Sequence, residues 1–249
     1  MSERKKVGLN PNVSVDCVVF GFDADGLKVL LIERENADNG AVKNFLLPGD
    51  LIRNDENLDE AASRVLKELT GLNDVYLEQF ASFGDPNRVR KENDLQWLRS
   101  IRKDPEARVI TVGYFSLIKP ENFKLAASSF ARKAEWMNME NVPELAFDHN
   151  DILSKGYEAL KGKMRNHPVG FELLPKKFSL GQLQHLYQTV LGIEIDKRNF
   201  RRKILKLGIL KNLDEQQSGV AHKPAQLFQF DEKASDKRFS LTFDFQSVD

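Results

Sequence analysis

The sequence predicts an α/β chain in two parts: a mixed β-sheet flanked by helices, then a helix-turn-helix followed by a β-hairpin. Three observations carry this. Strand-like apolar runs and amphipathic helical stretches mix without strict alternation as far as residue 165. Arg165-Asn-His-Pro-Val-Gly170 then breaks the pattern, because Pro168 and Gly170 are poor helix residues, and a linker is expected there. Beyond it two helical stretches meet at a tight turn, and the second is strongly basic. The expected domains are residues 1–165 and 166–249, which suits a chain of 249 residues at roughly 100 to 200 residues per domain.

In chain order, Val13, Val15, Cys17 and Val19 fall on one strand face, and the Asp23-Ala-Asp-Gly26 turn joins this strand to Leu27–Arg34 as a hairpin. Phe45-Leu-Leu-Pro-Gly-Asp50 leads to a helix from Asn57 to Gly71, with Leu58, Ala62, Val65 and Leu69 at helical spacing. Asn57 is placed to cap its start and Gly71 to end it in a left-handed conformation. The runs 75–83 and 109–118 read as further strands. Between them lies a polar insert, 86–107, in which Leu95–Ile101 predicts a short helix. Residues 134–139 suggest another strand, and 150–164 a helix with Ile152, Leu153, Leu160 and Met164 turned inward.

Composition is that of a folded, soluble protein, with 30% charged and 41% hydrophobic residues. Lys plus Arg number 37 and Asp plus Glu 37, a net charge of zero that at first argues against nucleic acid. Resolved by segment it does not: 1–165 holds 24 basic and 27 acidic residues, and 166–249 holds 13 and 10. The single cysteine, Cys17, has no disulfide partner in the chain and reads as a small buried apolar residue. The basic N-terminus lacks a following signal-like apolar stretch, and no run approaches the ~18 residues of a membrane span, so a cytoplasmic protein with no membrane partner is expected.

Gly49-Asp50, Glu56, Arg64, Glu68, Gly71 and Leu72 together resemble the Nudix box, and the resemblance extends loosely over residues 10–160. It implies a Nudix-type mixed sheet, with the family's Arg on Arg64 and one metal-ligand glutamate on Glu68. The box's leading glycine falls on Asp50, one place after the glycine present. Two other ligand glutamates are replaced by Val65 and Leu69, which supply no oxygen to a magnesium ion. Glu56, Arg64 and Glu68 are thus vestigial positions, no cofactor is required, and Mg2+ enters only if hydrolase activity is retained, with Glu68 as the metal ligand left. Taken alone, Glu60, Arg64 and Glu68 at four-residue spacing read as a solvent-facing ion-pair ladder. Segments 83–88 and 146–149 look like those of Nudix proteins that bind ADP-ribose or sugars. Arg34, Phe45, Asp50, Asp85 and Arg88 are accordingly the candidate effector ligands, Asp85, Arg88 and Arg34 for hydroxyls or phosphate; surface salt bridges explain those three nearly as well.

In the second part, Ser179 caps a helix that turns Leu180, Leu183, Leu186, Tyr187 and Val190 inward, and Asp196 caps the next. Phe200, Ile204 and Leu207 form that second helix's buried stripe, and residues 196–211 carry seven basic residues and one acidic. Residues 209–213 and 225–231, joined through a polar tip, make a hairpin that resembles the wing of a winged-helix domain. A charge run is usually a solvated face, but its one sign and its place after a tight turn favour a major-groove helix. Arg198, Asn199 and Arg202 are candidates for base readout, and Lys197, Arg201, Lys203 and Lys223 for phosphates.

Joined, the two parts resemble the Nudix-related transcriptional regulators, the group that includes arabinose-responsive and NAD-biosynthesis repressors. The stretches Phe171–Gln184 and Asp196–Arg201 support this. The resemblance implies a regulator whose eroded Nudix domain binds a sugar or ADP-ribose-like small-molecule effector and whose winged helix binds double-stranded operator DNA. A homodimer is expected, since two half-sites supply affinity that one small module lacks. One rival reading is an active hydrolase of nucleoside diphosphate derivatives, with Glu56, Glu68 and Glu92 rebuilding a Mg2+ site. Another is a protein-interaction module.

Overall fold

The computed structural model describes residues 8–23, 25–34, 44–89, 91–127, 129–167, 170–218 and 224–234. It divides into two compact units, Met1–Glu158 and Ala159–Asp249.

The first unit is built on a seven-stranded mixed sheet. Its elements are β1 (Leu9–Asp23), β2 (Gly26–Arg34), β3 (Phe45–Leu46), β4 (Gly49–Arg53), α1 (Leu58–Thr70), β5 (Glu78–Phe83), α2 (Glu92–Ile101), β6 (Ile110–Ile118) and β7 (Ala131–Asn138), followed by α3 (His149–Asn166), within which the unit boundary falls. The strand order is β3-β2-β1-β6-β5, with β4 also on β1 and β7 on β2. β1 and β6 run parallel, Val13 facing Ile110 and Gly21 facing Ile118, and the other pairings are antiparallel. The long apolar run of β1 is buried on both faces because three strands pair with it and helices cover it, as central strands require.

Helix α1 forms where the sequence signals it. The Asn57 side chain accepts from the Glu60 N–H while Glu60 accepts from the Asn57 N–H, and Gly71 closes the helix at φ 78°. Such a cap contributes about 1 kcal/mol. Ala61, Ala62, Val65, Leu66 and Leu69 pack into the core with Val15, Cys17, Leu30 and Tyr114. Each buried Val or Leu contributes roughly 1.5–3 kcal/mol, so packing outweighs the cap. Cys17 is fully buried, as expected, and burial pushes its thiol pKa up. The strand expected from residue 75 is shorter: pairing with β6 ends at Glu78 opposite Phe115, and Val75 and Leu77 instead pack on the core from a loop.

The second unit contains β8 (Phe178–Ser179), α4 (Leu180–Leu191), α5 (Lys197–Lys206), β9 (Leu210–Gln216) and β10 (Gln226–Phe230), with sheet order β8-β10-β9. Ser179 and Gln182 form a capping box on α4, and Gly192 ends it at φ 65°. Leu183, Leu186, Tyr187, Val190, Phe200 and Ile204 make the core between the helices. β9 continues to Gln216, further than the polar tip expected from Asp214, because Gln226 pairs with Gln216 beyond a register shift. Among the described residues no helix is long and apolar enough to cross a membrane.

Candidate functional site

The Nudix-box residues come together, but on one another. Arg64 Nε and Nη2 donate to Glu56 Oε2 and Oε1 at 2.8 and 2.6 Å, and its Nη1 donates to Glu68 Oε2 at 2.9 Å. Glu56 also accepts the Arg53 N–H, and the Arg53 guanidinium reaches Glu68 at 2.9 Å. Burial would raise the Glu56 carboxyl pKa, but the bonds from Arg64 and Arg53 outweigh it and hold the pKa below its ordinary value. Glu60 serves the α1 cap, so the expected Glu60-Arg64-Glu68 ladder exists only in its second half.

A magnesium ion does not fit these residues. Glu56 and Glu68 are committed to arginines, and Val65 and Leu69, at 0% and 2% exposure, belong to the apolar core. Glu92, the third carboxylate of the hydrolase reading, pairs with Arg99 on α2. Among the described residues no group of three or more His, Cys, Asp or Glu is placed to share a metal ion.

A different set of polar residues converges beside the middle of the central strand β1. Asp16 on β1 is the centre: Arg88 Nη2 lies 3.5 Å from its Oδ2 and His149 Nε2 3.4 Å from its Oδ1. Arg88 also grips Asp148 through both oxygens at 2.8 Å. His149 Nδ1 accepts the Leu47 N–H at 2.9 Å, which puts its proton on Nε2, facing Asp16. Burial pulls the imidazole pKa below its ordinary 6.5, against the pull of Asp16 and Asp148, so the ring is neutral at pH 7. Gly49 makes room for this cluster: a Cβ there would lie 1.8 Å from Asp16 Oδ1.

Around the cluster is an inner cavity of about 40 Å³, whose walls include Asp16, Asp50, Arg88, Trp97, Arg102, Phe130, Phe147 and His149. Burial raises the Asp50 carboxyl pKa and lowers that of the Arg102 guanidinium. An open outer groove of about 680 Å³ carries Asp85, Asn87, Arg88, Lys91, Glu144 and Asp148, and Arg88 and Phe147 line both spaces. The groove falls in the usual range of ligand sites, roughly 300–1,000 Å³, whereas the inner space suits a water-sized guest.

Of the candidate effector ligands, Asp50 and Arg88 therefore line the inner cavity, and Asp85 and Arg88 the groove. Arg34 is buried behind Trp97 and Phe147, its Cζ 5.0 and 5.8 Å from their ring centroids, and ion-paired to Asp94 at 2.9 Å. Phe45 lines neither space; it pairs with Glu33 between β2 and β3 and is buried. Sequence reasoning missed Asp16, Asp94, Trp97 and Arg102. The one signal for Asp16 was a carboxylate set inside an apolar strand, where a charge needs a partner.

The second unit presents α5. Asp196 caps it by accepting the Asn199 N–H at 2.8 Å, and Phe200 and Ile204 anchor it. Lys197, Arg198, Asn199, Arg201 and Arg202 are exposed and Lys203 is half-buried. Arg202 Nη2 donates to Asn199 Oδ1 at 2.8 Å, so two of the readout candidates are joined. Lys223 lies outside the described residues.

Residues 10–158 match the NUDIX domain model, and residues 170–230 match the model described as the NrtR DNA-binding winged helix domain. The chain is 35% identical over 228 residues to the ADPR responsive transcriptional repressor NtrR of Acinetobacter baylyi, covering 89% of this chain and 82% of that protein. It is 30% identical over 151 residues to the ADP-ribose pyrophosphatase of Methanocaldococcus jannaschii, covering 61% of this chain and 76% of that one. The crystal structure of Shewanella oneidensis NrtR complexed with a 27mer DNA superposes with a TM-score of 0.67 at 26% identity, over 91% of this chain and 97% of that one. Fold, box residues, basic α5 and these matches agree: the chain belongs to the NrtR-type family of transcriptional regulators, in which a Nudix domain precedes a winged-helix DNA-binding domain.

Proposed function

We propose that this regulator is a repressor that responds to ADP-ribose: the Nudix domain binds the effector without hydrolysing it, and paired winged helices of a homodimer hold operator DNA. One observation carries the reading. The helix positions that would hold catalytic metal are core residues Val65 and Leu69, while the adjoining cavity keeps groups for recognition. Arg88 and Arg102 suit a pyrophosphate, Asp16 and Asp50 suit ribose hydroxyls, and Phe130 and Phe147 offer faces to an adenine ring. The likeness to the ADPR responsive repressor of Acinetobacter baylyi favours ADP-ribose over a simple sugar. α5 supplies the DNA contacts, Arg198, Asn199 and Arg202 at base edges and Lys197, Arg201 and Lys203 at phosphates, and the protein acts in the cytoplasm.

Coupling between the two ligands must be reciprocal. Titration calorimetry of ADP-ribose into the full chain, with and without DNA from upstream of neighbouring genes, tests it. Affinities that differ between the two conditions are expected, and equal affinities refute the regulatory reading. Conversion of ADP-ribose to AMP and ribose 5-phosphate with Mg2+, abolished by Glu68→Gln, refutes the absence of hydrolysis.

A further inference from the structure

Helix α2 forms part of the cavity wall, and three features there have no role so far. The first is Arg34. Its side chain is 2% exposed, yet Asp94 accepts only from Nη2, and Nε and Nη1 are buried without a hydrogen-bond partner. Buried guanidinium donors are ordinarily satisfied, so their neglect marks a missing acceptor. The second is Phe147, held at φ 56° in the left-handed region that a bulky residue rarely adopts. Its N–H is tied to the other oxygen of Asp94 at 2.8 Å. A single carboxylate of α2 thus restrains a half-satisfied cation and a strained backbone. The third is size: the inner cavity, at about 40 Å³, is far too small for a nucleotide, and Trp97 of α2 stands in it between Phe130 and Phe147.

We propose that α2 is a displaceable plug in which Asp94 holds on Arg34 the place of an anionic phosphate of the effector and Trp97 holds the place of its ring. This rests on the reading that the Nudix domain binds ADP-ribose. The exchange replaces one anion by another, so Arg34 is never left buried with its charge unpaired. A phosphate group brings more acceptor oxygens than a carboxylate and reaches the donors that Asp94 leaves idle.

The helix is built to leave. It has ten residues, its N-cap Lys91 makes no side-chain cap, and its buried residues are Asp94, Trp97 and Leu98. A helix this short is marginal without tertiary contacts. The site therefore binds with an apparent affinity reduced by the fraction of molecules in which α2 is withdrawn.

The test uses the full chain with Trp136→Phe, which leaves Trp97 as the one tryptophan, and titrates ADP-ribose and, separately, inorganic pyrophosphate. Acrylamide quenching of Trp97 and hydrogen exchange of the 92–101 amides are followed alongside calorimetry. Withdrawal predicts that ADP-ribose increases quenching several-fold and deprotects α2. It also predicts that Asp94→Asn and Trp97→Ala each bind ADP-ribose at least tenfold more tightly; Trp97→Ala retains the Arg34–Asp94 pair and so covers the case that Asp94→Asn does not fold. Binding seen only in Trp97→Ala supports the plug. Binding with α2 still protected and Trp97 unchanged, or weaker binding by Trp97→Ala, overturns the plug and leaves the effector reading standing. No binding by parent or variants overturns the effector reading and the plug with it.

Discussion

The salt dependence of DNA binding tests the winged helix most directly. Lys197 and Arg201 are exposed on α5 and Lys203 is half-buried beside them. If these three neutralise phosphates, each winged helix contributes a slope of about −2.7 in log K against log salt, and a pair about −5.4. Raising salt from roughly 50 to 200 mM then weakens binding by on the order of 2,000-fold. Lys197→Ala with Arg201→Ala leaves one contact per winged helix, a slope of about −1.8 and a loss of only about 12-fold over the same range. Both side chains are exposed, so folding should change by no more than about 0.5 kcal/mol. Fluorescence anisotropy on a labelled duplex across a salt series measures both slopes. A parent slope near zero, or a slope unaltered in the double variant, refutes the assignment. Asn199→Ala should behave differently, relaxing sequence preference with little change of slope, and it also frees Arg202 from its 2.8 Å bond, so its effect should not add to that of Arg202→Ala.

Three further outcomes follow from the first unit. Val65→Glu places a carboxylate at a fully buried core position and should lower stability by on the order of 3 kcal/mol in urea melts, without restoring cleavage of ADP-ribose to AMP and ribose 5-phosphate. His149 is neutral in the fold with a lowered pKa, so its contribution is complete above its ordinary 6.5 and is lost as pH falls from there through the lower folded value. Asp16, Asp148 and Asp94 pull the ring toward protonation and Arg88 opposes it. Denaturant midpoints should therefore decline below pH ~6.5 in the parent and less steeply in His149→Gln; parallel curves would contradict the lowered pKa of the buried imidazole. Gly49→Ala forces Asp16 aside and should cost about 1–3 kcal/mol while weakening effector binding; a calorimetric affinity equal to the parent's would show that Asp16 is not needed where it stands.

The elements governed by neighbouring residues were legible in the sequence. Asn57, Gly71, Ser179 and Asp196 act within a few positions, and each cap or stop stands where its spacing puts it, although Glu60, read as part of an ion-pair ladder, instead completes the Asn57 cap. The Nudix box was legible for the same reason. The cavity was legible only in part, because its parts are distant in the chain: Asp16 on β1 meets Arg88 from a loop and His149 at the start of α3 through the sheet order. Phe45 was also a candidate ligand, and its pairing with Glu33 places it among the buried residues. Arg34 was a candidate for effector hydroxyls or phosphate, or else for a surface salt bridge, and nothing local showed that Asp94, sixty residues later, would pair with it in the interior. Zero net charge misled until it was divided, since a sum discards position.

The parallel pairing of β1 with β6 also bears on synthesis. Val13 faces Ile110, so the central strand of the sheet lacks a principal neighbour until roughly a hundred more residues have been made. At about 5–20 residues per second, that leaves a long apolar strand half-paired on the ribosome for roughly 5–20 seconds. Contacts this distant also slow folding, because loop closure precedes any gain from pairing. The nascent regulator should thus be at its most aggregation-prone before residue 118 emerges, and the strand that carries Asp16 is the one that a chaperone would have most reason to hold.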